Sequence, residues 1–156
     1  MLKGRGMLVA ACLTNLIGIG LLTLTALHAE TAELARPPIV DMSIAAALTD
    51  QPGDASRGLG IALDRARGNC VTCHELPLAV DFPGNIGPPL AGAADRYSAG
   101  ELRLRLVDSK QINPDSNMPS YYRVAGLNGV RQAFAGRPIL TAQEIEDVLA
   151  YLLTLR

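Results

Sequence analysis

Hydrophobic positions along this chain recur at helical spacing inside windows free of proline, and they nowhere alternate for long enough to build a sheet. All ten prolines fall after the first 29 residues and leave four such windows: 54–76, 90–113, 120–137 and 139–156. In the first, Asp54 is placed to cap a helix whose apolar face reads Leu59, Ala62, Leu63 and Ala66, and which should run into Cys70. In the second, Ser98 and Glu101 form a capping box ahead of Leu102, Leu106 and Val107, with Leu104 off that stripe. The last window carries a second capping box at Thr141 and Glu144, a staple of Leu140 with Ile145, and one stripe of Ile145, Val148, Leu149, Leu152 and Leu155. The third, with Gly126, Gly129 and Gly136, has room for a short helix around 130–134. The predicted fold class is all-α with long loops.

Ahead of these windows the pattern changes. Lys3 and Arg5 precede an uncharged run from Gly6 to Leu27, followed by small residues up to Ala29, which is a secretory leader pattern. Residues 1–29 read as a signal peptide, or as an N-terminal anchor if uncleaved, since the run reaches bilayer length. Both place the remaining residues outside the cytoplasm, with membrane contact only in the uncleaved case. Residues 30–53, with Pro37, Pro38 and Pro52, read as an extended arm with one short helix near 42–48; residues 54–156 form the domain proper.

Composition narrows the function. The chain has 156 residues, enough for one ordinary domain. Its 14 Lys+Arg and 15 Asp+Glu give a net charge of -1, which argues against nucleic-acid binding. With 49% hydrophobic and 19% charged residues, it is too apolar for disorder. It has no Trp and 4% aromatics, so a small core lacks large flat groups unless a cofactor supplies one.

Loss of the leader removes Cys12 and His28 and leaves Cys70, Cys73 and His74 within five residues. Cys70-Val71-Thr72-Cys73-His74 is the C-x-x-C-H pattern of covalent c-type haem attachment. Two thiols three positions apart on one turn reach the two vinyl groups, and the next residue points imidazole at the iron. Half a zinc site and a dithiol redox pair are the competing readings. Zinc lacks enough ligands here, and a thioredoxin-like pair lacks its βαβ setting.

With His74 used and no second histidine, the sixth iron position falls to Met118, Met42, Lys110, or an open or water-bound site. Met118 is preferred: it lies in the rigid polar loop Asn113-Pro114-Asp115-Ser116-Asn117-Met118-Pro119, where a methionine has no packing reason of its own. Met42 reads as an apolar residue of the arm, and Lys110 as a solvated cation at a helix end. A thioether donor favours ferrous iron, and two protein ligands leave no place for dioxygen, so this set describes electron transfer.

These residues resemble class I cytochromes c: a helix leading to Cys-x-x-Cys-His, a Gly87-Pro88-Pro89-Leu90 loop, a Met-Pro loop and a terminal helix. The resemblance implies class I helices wrapped around one covalently bound haem c, with the Pro88 carbonyl accepting the Nδ1 proton of His74. It also implies a close crossing of the first and last helices that sets Ala62 and Ala66 near Val148, Tyr151 and Leu152.

Arg67-Gly68-Asn69-Cys70, Gly84-Asn85-Ile86-Gly87-Pro88, Leu102-Arg103-Leu104-Arg105, Met118-Pro119-Ser120-Tyr121-Tyr122-Arg123 and Pro138-Ile139-Leu140-Thr141 make the resemblance narrower. They are similar to the SoxX family, the small monohaem subunits of SoxAX sulfur-oxidation cytochromes. That resemblance implies a periplasmic heterodimer with a SoxA-like subunit, which couples thiosulfate to a cysteine of the carrier SoxYZ. This chain would then be the electron-accepting subunit of an L-cysteine S-thiosulfotransferase and pass electrons to a soluble cytochrome acceptor, with no catalytic residue of its own. The arm and Tyr121-Tyr122-Arg123 are the expected partner contacts, against a spacer and a loop packed on its own haem. A free-standing periplasmic monohaem carrier, and a haem enzyme or sensor with an exchangeable sixth ligand, are the alternatives.

Overall fold

The computed structural model describes residues 34–156; the leader and the start of the arm lie outside them. The described residues form α1 (Ala55–Leu63), α2 (Ala93–Arg96), α3 (Ala99–Asp108) and α4 (Ala142–Leu152), with 3₁₀ turns at Cys70–Thr72, Ser109–Gln111 and Gln132–Phe134. Among these residues the sole β feature is an isolated bridge between Val40 and Ser43, so the class is all-α.

The capping signals act as the sequence implies. Asp54 accepts from the backbone N–H groups of Ser56 and Arg57, and both capping boxes, Ser98 with Glu101 and Thr141 with Glu144, are fully formed. The stripe of α4, together with Leu155, is buried, as are Leu102, Leu106 and Val107 of α3. Leu104, expected off the stripe, is fully buried as well, because the polar face of α3 is also covered: Arg103 and Asp108 are buried with it.

Two expected helical segments differ. The first helix does not run into Cys70. Asp64 leaves helical geometry, its carboxylate accepts from Ala66 N at 2.8 Å, and its carbonyl accepts from Asn69 N at 2.9 Å, so a side chain able to bond nearby backbone ends the helix. Ala66 is therefore exposed and takes no part in the helix crossing. Near Met42 a tight turn replaces the expected helix: Val40 and Ser43 exchange hydrogen bonds of 2.9 and 3.0 Å, with Asp41 and Met42 at φ 48° and 57°.

Helix α1 meets α4 at Gly58, where an added Cβ would run into the Asp147 carbonyl, so the two backbones touch without an intervening side chain. Two ion pairs, the first of them buried, lock this arrangement. Arg103 donates to Glu146 through Nε at 2.8 Å and Nη2 at 3.0 Å, and also to the Ile44 carbonyl at 2.7 Å. Glu146 accepts from Leu48 N at 2.9 Å. One pair thus joins α3, α4 and residues 44–48, and Ile44 is fully buried. On the opposite flank Arg57 forks onto Asp147, with both bonds at 2.8 Å.

Candidate haem site

The turn after α1 carries the attachment residues because its backbone is wound tightly there. Asn69 takes a left-handed φ of 52°, and Cys73 N and His74 N then both bond to the Cys70 carbonyl, at 3.1 and 2.9 Å. This places Cys70, Cys73 and His74 on one wall of a cavity of about 400 Å³. The loop 84–90 folds back over that turn through Gly84 N to Val71 O at 2.8 Å, Gly87 N to Cys73 O at 2.7 Å and Leu90 N to Glu75 O at 2.8 Å. Gly87 lies flat against the imidazole, where a Cβ would collide with His74 Cε1. His74 Nδ1 lies 2.8 Å from the Pro88 carbonyl, the contact that orients such a ligand and raises its basicity.

Met118 lines the same cavity, whereas Met42 is 47% exposed on the arm and Lys110 faces an adjoining groove. The methionine loop is held on both sides. Ser109 Oγ donates to the Met118 carbonyl at 2.6 Å, Tyr121 N and Tyr122 N bond to Leu106 O and Val107 O at 3.1 Å each, and Ser120 Oγ donates to buried Asp108 at 2.6 Å. Asp108 also receives Gln111 and faces Arg123 and Arg36. Burial acts against its charge, but these donors outweigh it and hold the carboxyl below its ordinary range.

Sequence reasoning missed the tie between the two most distinctive motifs. The Tyr121 hydroxyl, buried, donates to the Gly68 carbonyl at 2.7 Å, joining the Met-Pro-Ser-Tyr-Tyr segment to the residues just before Cys70. Tyr121 is therefore a strut of its own site and is not available to a partner; Arg123 is held by Asp108 and the Ala125 carbonyl. Two further wall residues were unassigned. Arg96 fixes the loop by donating to Ala91 O and Pro89 O at 2.6 and 2.7 Å, and Arg105 stacks 3.9 Å from the Tyr97 ring centre. The signal for Arg105 lay in the basic positions flanking the apolar stripe of α3; Arg96, at the end of α2, carried none.

The donor set fits a covalent haem. Two thiols, an imidazole and a thioether meet on one cavity whose remaining walls include Leu90, Ala93, Leu102, Ile112 and Leu152, the apolar lining a flat macrocycle requires. Desolvation pushes the Cys70 thiol up to about 11, the reverse of the lowered value a redox-active dithiol needs.

This is the architecture of a c-type cytochrome. Residues 57–156 match the cytochrome c family. The crystal structure of SoxXA from P. pantotrophus superposes with a TM-score of 0.71 at 39% sequence identity, covering 76% of this chain and 93% of that chain. No curated protein matches the sequence. The chain belongs to the cytochrome c family and, within it, to the SoxX group. Its cofactor is haem c, and Cys70 and Cys73 stand at the attachment position of the family.

Proposed function

We propose that this chain is the electron-transfer subunit of a periplasmic thiosulfate-oxidising complex. It would accept electrons from a SoxA-like subunit that couples thiosulfate to a cysteine of a SoxYZ-type carrier, and deliver them to a soluble cytochrome. The observation that carries the reading is the convergence of His74 and Met118 on one cavity in a chain 39% identical to a SoxXA protein. When bound, haem c supplies a one-electron couple. Cys70 and Cys73 would hold it through thioethers, His74 and Met118 would supply the two protein ligands to its iron, and the Pro88 carbonyl would keep the imidazole oriented. The tied methionine loop excludes outside ligands and leaves little to reorganise when the charge changes. Residues 1–29 are the export signal, 30–53 the arm and 54–156 the haem domain.

A stable SoxA-like partner is supported by apolar groups left bare on the segment leading to Gly87: Phe82 is 94% exposed at a left-handed φ of 53°, and Ile86, on the rim of the cavity that His74 lines, is 68% exposed. A bulky side chain held out in that strained backbone region is accounted for when a partner covers it. The test is export-competent expression with a SoxA homologue. The expected result is a one-haem chain beginning near residue 30 that co-purifies with the partner, and whose oxidised spectrum has the weak near-infrared sulfur-to-iron band. Isolation as a monomer without affinity for the SoxA homologue, or ready carbon monoxide binding by the reduced protein, would overturn it.

A further inference from the structure

Charge is segregated on this domain. Residues 34–156 contain 12 basic and 13 acidic side chains, so any strongly positive surface arises from placement and not from excess. Among the described residues, Arg36, Arg57, Arg67, Arg103, Arg123 and Arg156 have carboxylate partners. The other six basic side chains divide between two cavities: Arg96 and Arg105 line the haem cavity, while Arg65, Lys110, Arg131 and Arg137 line an adjoining groove of about 440 Å³. Arg67 and Arg123 line it too, each paired with a carboxylate outside the lining, and among the described residues no carboxylate lines the groove. Cys73 belongs to both linings, so the groove opens against the thioether edge of the haem site.

We propose that this groove is the docking surface for the acidic face of a redox protein, through which electrons leave. The proposal rests on the electron-transfer reading and names the partner's chemistry. Four features favour a protein over a small enclosed anion. The arginines are exposed and spread along the rim rather than converging on one point. Phe134 sits between Arg131 and Arg137, its ring centre 5.8 and 5.9 Å from their guanidinium carbons, giving the aromatic-with-arginine composition enriched at protein interfaces. The rim is polar, which suits a transient encounter, whereas permanent interfaces are more hydrophobic. Positive charge beside a redox edge steers an anionic surface to the position where electron transfer is short.

The test uses the full haem-loaded protein and two oxidants of opposite charge, hexacyanoferrate(III) and tris(phenanthroline)cobalt(III). Each takes one electron from the reduced protein and is itself reduced by one, and no proton moves. Stopped-flow oxidation by the anion is expected to slow as salt rises, although the net charge alone predicts the reverse; oxidation by the cation should not slow. Arg65→Glu with Arg131→Glu should slow the anionic reaction about tenfold at low salt and reverse its salt trend, with the visible spectrum unchanged. Lys110→Gln with Arg137→Gln, a milder change, should produce part of the effect. Poly-L-glutamate should compete with the anion for the wild-type protein and not for the Arg65→Glu, Arg131→Glu variant. An anionic reaction insensitive to salt and to these variants overturns the proposal alone. A protein that exchanges electrons with neither oxidant overturns the electron-transfer reading and the docking surface with it. Co-sedimentation with phosphatidylglycerol vesicles through the same arginines, without polyglutamate competition, makes the groove a membrane contact and overturns the protein partner.

Discussion

The hydroxyl of Ser109, directly after α3, donates a 2.6 Å hydrogen bond to the backbone carbonyl of Met118. The end of a buried helix thereby sets where the methionine sulfur stands. Met118→Ala should abolish the near-infrared band and admit carbon monoxide to the reduced protein. Ser109→Ala should keep the band but lose one neutral hydrogen bond, about 1 kcal/mol, and so bind added imidazole several-fold more tightly. Titration of both variants with imidazole checks the pair; a band that survives in Met118→Ala removes Met118 from the iron.

Two glycines should respond to alanine in opposite directions. At Gly87 the added methyl meets the His74 ring, so Gly87→Ala must push the loop or the imidazole aside. It should lower stability and disturb the histidine's bond to Pro88. At Gly60, on the exposed side of α1, nothing lies within 4 Å of a new Cβ. Gly60→Ala should stabilise the protein by about 0.5–1 kcal/mol, through helix propensity and a less free unfolded chain. Denaturant unfolding of the two variants checks the contrast, and equal effects would contradict the packing described.

What could be read from the sequence divides along physical lines. Capping boxes are local, one side chain bonding backbone three residues away, so Ser98 with Glu101 and Thr141 with Glu144 announced α3 and α4 before any fold was known. Cys70, Cys73 and His74 lie within one turn, so their proximity needed no tertiary information. Ala66 failed as a core position because Asp64 offered the backbone a better bond than the next helical turn did, a competition that periodicity does not register. Arg103 with Glu146 and Tyr121 with Gly68 were invisible for another reason: 43 and 53 residues separate the partners, and burial alone gives such pairs their importance.

Breaking the Arg103 and Glu146 pair tests that long-range hub. Both side chains are less than a tenth exposed, and Arg103 also donates to the Ile44 and Ala45 carbonyls. Glu146→Ala strands a buried guanidinium, and such a loss costs about 3–5 kcal/mol. Replacing both residues with apolar groups of similar volume removes the stranded charge, so the double variant should recover part of that loss. Amide exchange at Leu48, whose N–H bonds to Glu146, should accelerate in either case. A single variant as stable as the wild type would show that the pair does not hold residues 44–48 to the helices.

The pH dependence of stability follows from Asp147. Hydrogen bonds from Arg57 draw its carboxyl down from an ordinary 3.8 to about 2; burial opposes the shift, and the backbone N–H of Asp54 and the Gln143 amide assist it. Because the folded group titrates below the unfolded one, its stabilisation is fully present above about pH 4 and is lost as pH falls through about 2. The shift corresponds to about 1–2 kcal/mol once the half-exposed Arg57 is discounted for solvent screening. Asp147→Asn should therefore be less stable than the wild type at neutral pH by that amount, with the difference narrowing between about pH 4 and about pH 2. Urea midpoints measured across that range check it. A gap that stays constant down to the acid limit would show that Asp147 contributes shape and not charge, and that the fork from Arg57 adds nothing to the crossing of α1 with α4.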